Sequence, residues 1–133
     1  MREILFRAKI KTDNAQYKKG DWVQGDYVRI IDGKRFIPHI YSKGEIIENT
    51  ISQYTGLTDK NGKKIFEGDI VDVEYDINYI GVAAQRIGKF EVIFNCGCFM
   101  KKKPSGGLFH FIPSDKCKVI GNIHDNPELL KGE

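Results

Sequence analysis

A chain of 133 residues can fold as one cooperative domain with its own core, so a second independent domain is not expected. Glycine is enriched at 14 residues, and Val, Ile, Phe and Tyr supply most of the apolar bulk, so the composition favours strands and turns over helices. The 21 basic and 18 acidic side chains leave a net charge of +3, well below the charge density typical of nucleic-acid-binding domains.

The N-terminal part of the sequence predicts short strands joined by glycine turns. Residues 4–10 alternate between apolar and basic side chains, the period of two that indicates a strand with one buried face. Residues 22–31 predict a second strand that a glycine interrupts midway. Asp32-Gly33-Lys34 predicts a hairpin turn. Residues 35–41 predict the returning strand, placed at a sheet edge because Pro38 lacks a backbone donor.

The central part, residues 50–73, carries the strongest strand signal, because three glycine turns separate β-rich runs. Asp59-Lys60-Asn61-Gly62 predicts a tight turn, since Asn and Gly tolerate the positive φ that such a turn requires. An apolar run restarts at Ile65 and another follows Gly68-Asp69. Residues 76–86 lack a periodic pattern and predict a long exposed loop.

Three further strands and a helical turn are predicted in the C-terminal part. The strands are expected at residues 88–94, 108–112 and 116–123, and residues 101–107 predict a flexible lysine-rich loop. Asn126 and Pro127 are suited to the cap and first position of a terminal helical turn. Turn signals thus recur about every ten residues, which is typical of a β-sandwich or a small barrel.

The sequence also predicts a reduced, cytoplasmic environment. No apolar run approaches the roughly 20 residues needed to span a bilayer, and the N-terminus lacks a secretory hydrophobic segment. The cysteines Cys96, Cys98 and Cys117 are an odd number, which disfavours a secreted disulfide framework.

Five stretches of the sequence resemble one protein family, the YopX family of phage and prophage proteins. The stretches are residues 6–8, 22–25, 50–57, 59–71 and 120–130, and the resemblance extends over nearly the whole chain. It implies a phage or prophage origin in a bacterial host. It carries over no catalytic residues and no cofactor.

The same resemblance implies an all-β fold. The expected organisation is a single YopX-like domain over residues 1–133. Within it, residues 1–49 would form an N-terminal antiparallel β subdomain, and residues 50–133 a Src-homology-3-like small β-barrel with a short C-terminal helical turn.

The cysteines raise the question of a zinc or redox site. Cys96 and Cys98 would lie on one face of a regular strand, and Cys117 and His110 could complete a tetrahedral set. This spacing differs from the paired C-x₂₋₄-C units of structural zinc sites, so buried structural cysteines are favoured and no metal is predicted. A redox pair is disfavoured too, because no helix N-terminus is at hand to lower a thiol pKa.

An acidic cluster raises the question of hydrolytic chemistry. A hydrolase or nuclease would need two or more of five side chains to converge in one cleft: Asp69, Asp72, Glu74, Asp76 and His110. A solvated strand face is favoured for the carboxylates, and Asp69 is equally suited to support a turn. The sequence contains neither a phosphate loop nor a dinucleotide fingerprint.

Lys101, Lys102 and Lys103 form the best nucleic-acid signal, because nearby aromatic residues could stack on bases. A lysine-rich hairpin tip that keeps an edge soluble explains the same residues, with Phe109 and Phe111 as core side chains. Nucleic-acid binding would be favoured if the lysines shared a surface with four other basic residues: Arg86, Lys89, Lys116 and Lys118.

The function predicted first is therefore a non-catalytic accessory protein that binds another phage or host protein, with exposed strand edges that could also support self-association. A nucleic-acid-binding small barrel that uses Lys101, Lys102 and Lys103 is the alternative, and a metal-dependent hydrolase ranks third.

Overall fold

The computed structural model of the chain describes residues 3–37, 44–74, 88–95, 97–104, 106–109, 112 and 114–131. These residues form antiparallel strands and short 3₁₀ turns, without an α-helix, so the all-β prediction is confirmed. The strands are β1 (Phe6–Lys9), β2 (Trp22–Gly25), β3 (Arg29–Ile31), β4 (Lys34–Phe36), β5 (Ser52–Thr58), β6 (Lys64–Phe66), β7 (Asp69–Val73), β8 (Gly88–Asn95), β9 (Cys98–Lys102), β10 (Leu108–Phe109) and β11 (Cys117–Asn122). The 3₁₀ turns span Glu48–Thr50, Ser114–Lys116 and Pro127–Leu130.

The chain divides into two compact units, Met1–Tyr54 and Thr55–Glu133. The boundary falls within β5, whose first residues pair with β1 and whose later residues lie beside β6. The predicted organisation, one domain with parts at residues 1–49 and 50–133, stays a prediction.

The core of the first unit lies on one face of β1. Ala8 and Ile10 are fully buried there, as the alternation of apolar and basic residues predicts. Arg7, which the same pattern assigns to the solvent, is also buried. Its Nε donates to Ser52 Oγ at 3.3 Å, and its guanidinium lies 4.7 Å from the centre of the Trp22 ring. An ion over an aromatic face retains a favourable partner after leaving water, which explains the burial.

A two-residue hairpin joins β3 to β4. Asp32 and Gly33 both have positive φ, 50° and 75°, which is the type I′ geometry expected at the predicted turn. Ile31 pairs with Lys34 across this turn. The predicted strand over residues 22–31 is divided into β2 and β3, and Pro38 lies outside the described residues.

The second unit is built on a five-stranded sheet in the order β10-β9-β8-β7-β11. One face carries the core, with Val71, Phe90, Val92 and Cys117 fully buried. The Pro127–Leu130 turn lies against β8. The sheet has two edges, β10 and β11, and none of the sheets formed by the described residues closes into a barrel.

Asp59 organises the turn between β5 and β6. Its carboxylate accepts from the amides of Asn61 and Lys63, each at 2.9 Å, and from the amide of Val119 on β11 at 2.9 Å. Burial alone would raise the pKa of this carboxyl, but the three amides outweigh it and hold the pKa below its ordinary value of 3.8. The sequence predicted the turn at residues 59–62 but not this long-range bond.

Asp69 organises the turn between β6 and β7. Its carboxylate accepts from the Phe66 amide at 2.7 Å. Gly68 has a φ of 87°, its amide donates to the carbonyl of Val92, and its own carbonyl accepts from the amide of Ile123. This turn therefore joins three parts of the second unit, and the role predicted for Asp69 as a turn support is confirmed.

Strand β9 is the element that the sequence analysis missed. Gly97, with a φ of 80°, lies in the turn between β8 and β9, so Cys98 begins a new strand. Lys101 and Lys102 belong to that strand, and the turn after it begins only at Lys103. The expectation of a flexible loop beginning at residue 101 is therefore wrong. The long loop predicted at residues 76–86 lies outside the described residues.

The C-terminal turn is closed by asparagine side chains. Asn122 Oδ1 accepts from the amides of His124 and Asp125, and Asn126 Oδ1 accepts from the amide of Asn122 at 3.3 Å. The predicted helical turn is present at Pro127–Leu130, but Asn126 turns its side chain back to β11 instead of capping it.

Candidate functional site

The three predicted nucleic-acid-binding lysines do not share one exposed loop. Lys101 is fully buried, Lys102 is exposed and Lys103 is half-buried. Lys101 stands opposite Val92 on the core face of the sheet, whereas Lys102 stands opposite Glu91 on the other face. Their contact with nucleic acid stays a prediction, but Lys101 does not present its charge at the surface.

Aromatic rings explain how Lys101 can lie in the core. Its ammonium group is 4.9 Å from the centre of the Phe90 ring and 5.8 Å from that of Phe109. These two rings pack edge to face, with centroids 5.9 Å apart, so Phe109 is a core side chain as predicted. Phe111 lies outside the described residues. Lys101 thus serves the packing of the second unit.

Basic side chains do meet on the outer face of the five-stranded sheet. Lys89 on β8 and Lys118 on β11 stand on either side of Asp72 on β7. Lys102 lies on the same face, beside Glu91. Carboxylates therefore alternate with the lysines, which lowers the positive potential of this face. Arg86 lies outside the described residues.

The acidic residues of the hydrolase hypothesis are separated by the fold. Asp69 is buried and holds its turn, on the face of β7 opposite to that of Asp72. Glu74 pairs with Lys60, whose hydrogen bond and charge lower the pKa of the glutamate. Asp76 and His110 lie outside the described residues, and no group of three or more His, Cys, Asp or Glu side chains in the described part could hold a metal ion.

The two described cysteines lie far apart. Cys98 is on β9 and Cys117 on β11, with β8 and β7 between them, which gives a lateral separation of roughly 14 Å at ordinary strand spacing. The register also places them at opposite ends of β8, Cys98 beside Asn95 and Cys117 in line with Gly88. Burial raises the pKa of the Cys117 thiol to about 11, and the charge of Asp59 adds to that effect. Cys117 therefore stays protonated and behaves as a core side chain. Cys96, the first cysteine of the C-x-C pair, lies outside the described residues.

A small cleft of about 200 Å³ lies in the first unit, and ion pairs dominate its wall. Lys11 Nζ is 3.3 Å from Glu45, and an Arg35 guanidinium nitrogen is 3.2 Å from Glu48. The volume is below the roughly 300 Å³ at which small-molecule sites begin. Its cations and carboxylates already neutralise each other in pairs.

The β3–β4 hairpin and the residues just before it carry exposed large apolar side chains. Ile30 is 61% exposed, Ile31 48% and Tyr27 49%. β4 is bridged on its outer side, where Phe36 pairs with Glu45. β3 has β4 on one side, and no described strand pairs with its other side. We name this free side of Arg29–Ile31 the β3 edge.

A family model described as YopX protein matches residues 5–131. The chain belongs to the YopX family. Among solved structures it is similar to protein EF1440 from Enterococcus faecalis, with 24% sequence identity and a TM-score of 0.44 over 98% of this chain and 99% of that chain. No curated protein matches it.

In the second unit, the polar side chains of the YopX stretches mainly stabilise the fold. In residues 59–71, the carboxylates of Asp59 and Asp69, which are candidate catalytic groups by residue type, accept hydrogen bonds from backbone amides. In residues 120–130, the polar side chains of Asn122 and Asn126 close a turn. The β3 edge lies outside all five stretches. Sequence reasoning found its turn but gave Ile30 and Ile31 no role, and the only signal was two adjacent isoleucines beside a turn.

No helix of the described residues is both long enough and apolar enough to cross a membrane.

Proposed function

We propose that this YopX protein is a non-catalytic accessory module, encoded by a phage or prophage, that works in the bacterial cytoplasm and binds another protein through the β3 edge. The observation that carries this proposal is an edge strand whose side chains are exposed while its hairpin partner is firmly held. A partner protein would add an extended segment to β3 by strand addition.

The edge offers both components of that recognition mode. Backbone groups along β3 supply hydrogen bonds that are independent of the partner's sequence. Ile30 supplies an apolar contact on one face of the hairpin, and Ile31 supplies one on the other. Side chains that alternate in this way give specificity for a complementary pattern in the bound strand.

The non-catalytic part of this proposal is supported by the acidic side chains of the second unit. A catalytic carboxylate must be free to exchange a proton or bind a substrate, whereas Asp59 and Asp69 each accept from backbone amides. Glu74 is paired with Lys60. These groups stabilise turns, and we assign no chemical step to them.

The finer fold assignment belongs to the same proposal. We propose that residues 50–133 correspond to the Src-homology-3-like small barrel of the family resemblance, a class of domain in which protein recognition is common. The described sheet is open at β10 and β11, so strands outside the described residues would have to complete the barrel.

A capture experiment tests the proposed function. The tagged wild-type chain, Ile30→Lys and Leu108→Lys are used to capture proteins from the lysate of a bacterial host, and the captured proteins are quantified by mass spectrometry. Leu108 is 43% exposed, so its replacement is a matched control on another strand. We expect Ile30→Lys to lose partners that the wild-type chain and Leu108→Lys retain. Equal capture by all three would contradict the role of the β3 edge.

The outer lysine face favours a second candidate, nucleic-acid binding. Lys89, Lys102 and Lys118 share one face, and such an arrangement can follow a phosphate backbone. The alternating carboxylates of Asp72 and Glu91 oppose it. Fluorescence anisotropy with labelled single-stranded and duplex DNA and RNA, at about 50 and 200 mM salt, decides between them. Salt-sensitive binding that is lost when the three lysines become serine would establish the second candidate.

A further inference from the structure

The β3 edge differs from the edges of β6, β10 and β11. β10 has only two residues, and β11 is interrupted by a bulge between Val119 and Gly121. The edge of β6 carries the amide of Phe66, which donates to Asp69. Short strands, bulges and occupied donors are the devices by which proteins prevent edge-to-edge pairing. β3 is also short, at three residues, but no bulge interrupts it and no described strand pairs with its outer side, so its outer backbone groups can pair with a further strand.

The hairpin register shows which backbone groups of β3 lie on that edge. In an antiparallel ladder, hydrogen-bonded pairs alternate with pairs whose N–H and C=O groups point outward. The carbonyl of Arg35 accepts from the amide of Ile46, at 2.8 Å, so it points away from β3. Ile30 is the residue opposite Arg35. The N–H and C=O of Ile30 therefore point away from β4, onto the β3 edge.

We propose that, in the absence of a partner protein, the β3 edge pairs antiparallel with the β3 edge of a second copy of this chain. A two-fold axis then passes between the two Ile30 residues, and each Ile30 N–H donates to the carbonyl of the other. This inference rests on the proposed function, because both use the same edge. The self-paired form is the resting state, which a binding partner must displace.

Charge selects this register from its neighbours. The N–H and C=O groups that point out of the β3 edge belong to every second residue. Those of the two copies can therefore face each other only in every second register. A shift in one direction sets Arg29 opposite Arg29 of the second copy, so like charges meet on the two-fold axis. A shift in the other direction sets Ile30 opposite Asp32, whose φ of 50° removes it from an extended strand. The register centred on Ile30 sets Arg29 opposite Ile31 and avoids both costs.

Symmetric association also suits the composition of the edge. Pairing at Ile30 places two 61% exposed isoleucine side chains next to each other on one face. On the other face Ile31 packs against the aliphatic stem of Arg29 from the second copy. The contact is small, so we expect a weak dimer that forms in the micromolar to millimolar range.

The first test is sedimentation of the purified chain alone over that concentration range. We expect reversible dimerisation by the wild-type chain and by Ile30→Val, and its loss in Ile30→Pro and Ile30→Lys. Proline removes the outward N–H of Ile30 without removing a hydrogen bond of the hairpin. Far-UV circular dichroism confirms that each variant is folded, and Ile30→Lys keeps the test valid if proline disturbs the hairpin. A chain that stays monomeric at all concentrations would overturn the proposal.

Disulfide capture tests the register itself. In a background with Cys96 and Cys98 replaced by serine, Ile30→Cys is compared with Ile31→Cys under mild oxidation. The proposed register brings the two residue-30 Cα atoms to about 5.5 Å, within disulfide reach, and leaves the two residue-31 Cα atoms roughly 8 Å apart. We expect a covalent dimer from Ile30→Cys only. A dimer from Ile31→Cys alone would overturn the proposed register.

The two proposals fail separately. A monomeric chain whose capture of other proteins depends on Ile30 would overturn the dimer and leave the proposed function standing. A dimer of the expected register, in a chain whose capture is unchanged by Ile30→Lys, would support the dimer and contradict the proposed function.

Discussion

The turn between β5 and β6 and the hairpin between β3 and β4 have similar sequence signals but differ in burial and in hydrogen bonding. Both contain an aspartate and a glycine between short strands. In the first, the carboxylate of Asp59 is buried and accepts from three backbone amides. In the second, Asp32 is exposed, and Ile30 points its backbone groups away from the hairpin. Of two similar turn signals, one therefore builds a buried hydrogen-bond network, and the other leaves an exposed apolar strand, which we propose for recognition.

The largest effect is expected from removing the Asp59 carboxylate. Asp59→Asn replaces one acceptor oxygen with an NH₂ group and leaves a buried amide, such as that of Val119, without its acceptor. Losing a hydrogen bond to a charged group, or leaving a buried donor without an acceptor, costs a few kcal/mol. We therefore expect a loss of about 3 kcal/mol in the free energy of unfolding. Urea denaturation at pH 7 measures it.

The pH dependence of that loss checks its cause. The folded-state pKa of Asp59 lies below its ordinary value of 3.8, so the stabilisation is present above pH 3.8 and disappears as the pH falls through the folded value. The difference between wild type and Asp59→Asn should therefore shrink in acid. Asp115→Asn, at an exposed aspartate of the same unit, is the control. A difference that persists below both pKa values would show that the carboxylate charge is not the cause.

The next largest effect is expected at Gly121 on β11. A Cβ atom at this position would lie 2.6 Å from Oδ1 of Asn126, which is too close for any side-chain contact. Gly121→Ala should cost about 2 kcal/mol, because Asn126 must move and its bond to the Asn122 amide is lost. Asn126→Gly also removes the Asn126 Cβ atom, which would lie 2.9 Å from the added Cβ, so it should remove most of the additional cost; a double-mutant cycle of urea midpoints measures this coupling. Additive effects would contradict the steric explanation.

These two sites also show what the sequence could and could not predict. Asp59-Lys60-Asn61-Gly62 predicts a turn, since turn formation depends on neighbouring residues. The bond from the Val119 amide to Asp59 joins residues 60 positions apart, and no local pattern contains it. Residues 50–73 were therefore assigned correctly as strand, turn and strand, while their links to β11 were not.

The same distinction explains the errors at Arg7 and Lys101. Charge and periodicity predict an exposed cation in both cases, but each side chain is buried against aromatic rings: Trp22 for Arg7, and Phe90 and Phe109 for Lys101. The rings come from other strands, so the contacts depend on tertiary structure. The exposure of Lys101 was misjudged for this reason, and the β3 edge was missed because exposure cannot be read from an apolar pair.

A smaller effect is expected at Glu91, on the outer face of the sheet. Burial raises its pKa above the ordinary value of 4.5, opposed by the charge of Lys102. A raised carboxyl pKa gives stability that is present below the unfolded value and lost as the pH rises through the folded one. Glu91→Gln should therefore stabilise the fold at pH 7 by a few tenths of a kcal/mol, since solvent screens much of the effect. Thermal denaturation at pH 7 and at pH 4 measures the change, which should vanish at the lower pH.

Glu74→Gln is the matched opposite case. Its hydrogen bond to Lys60 lowers the pKa of Glu74, so its replacement should weaken the fold at pH 7 and not at low pH. If both variants changed the stability of the fold in the same direction at pH 7, burial could not dominate at Glu91 while ion pairing dominates at Glu74.

The smallest effect on stability is expected at Ile30, where the comparison with Asp59 is sharpest. Ile30→Thr removes exposed apolar surface and keeps a β-branched side chain in the strand, so the dilute chain should change by at most about 0.5 kcal/mol. Self-association stabilises the folded state by mass action, so the wild-type melting temperature should rise with protein concentration more than that of Ile30→Thr. Calorimetry of both chains over a wide concentration range measures the two slopes. If the melting temperatures of both chains rose equally with concentration, Ile30 would make no contact with a second copy. If dilute Ile30→Thr lost much of its free energy of unfolding, Ile30 would be a residue that stabilises the fold, as Asp59 is.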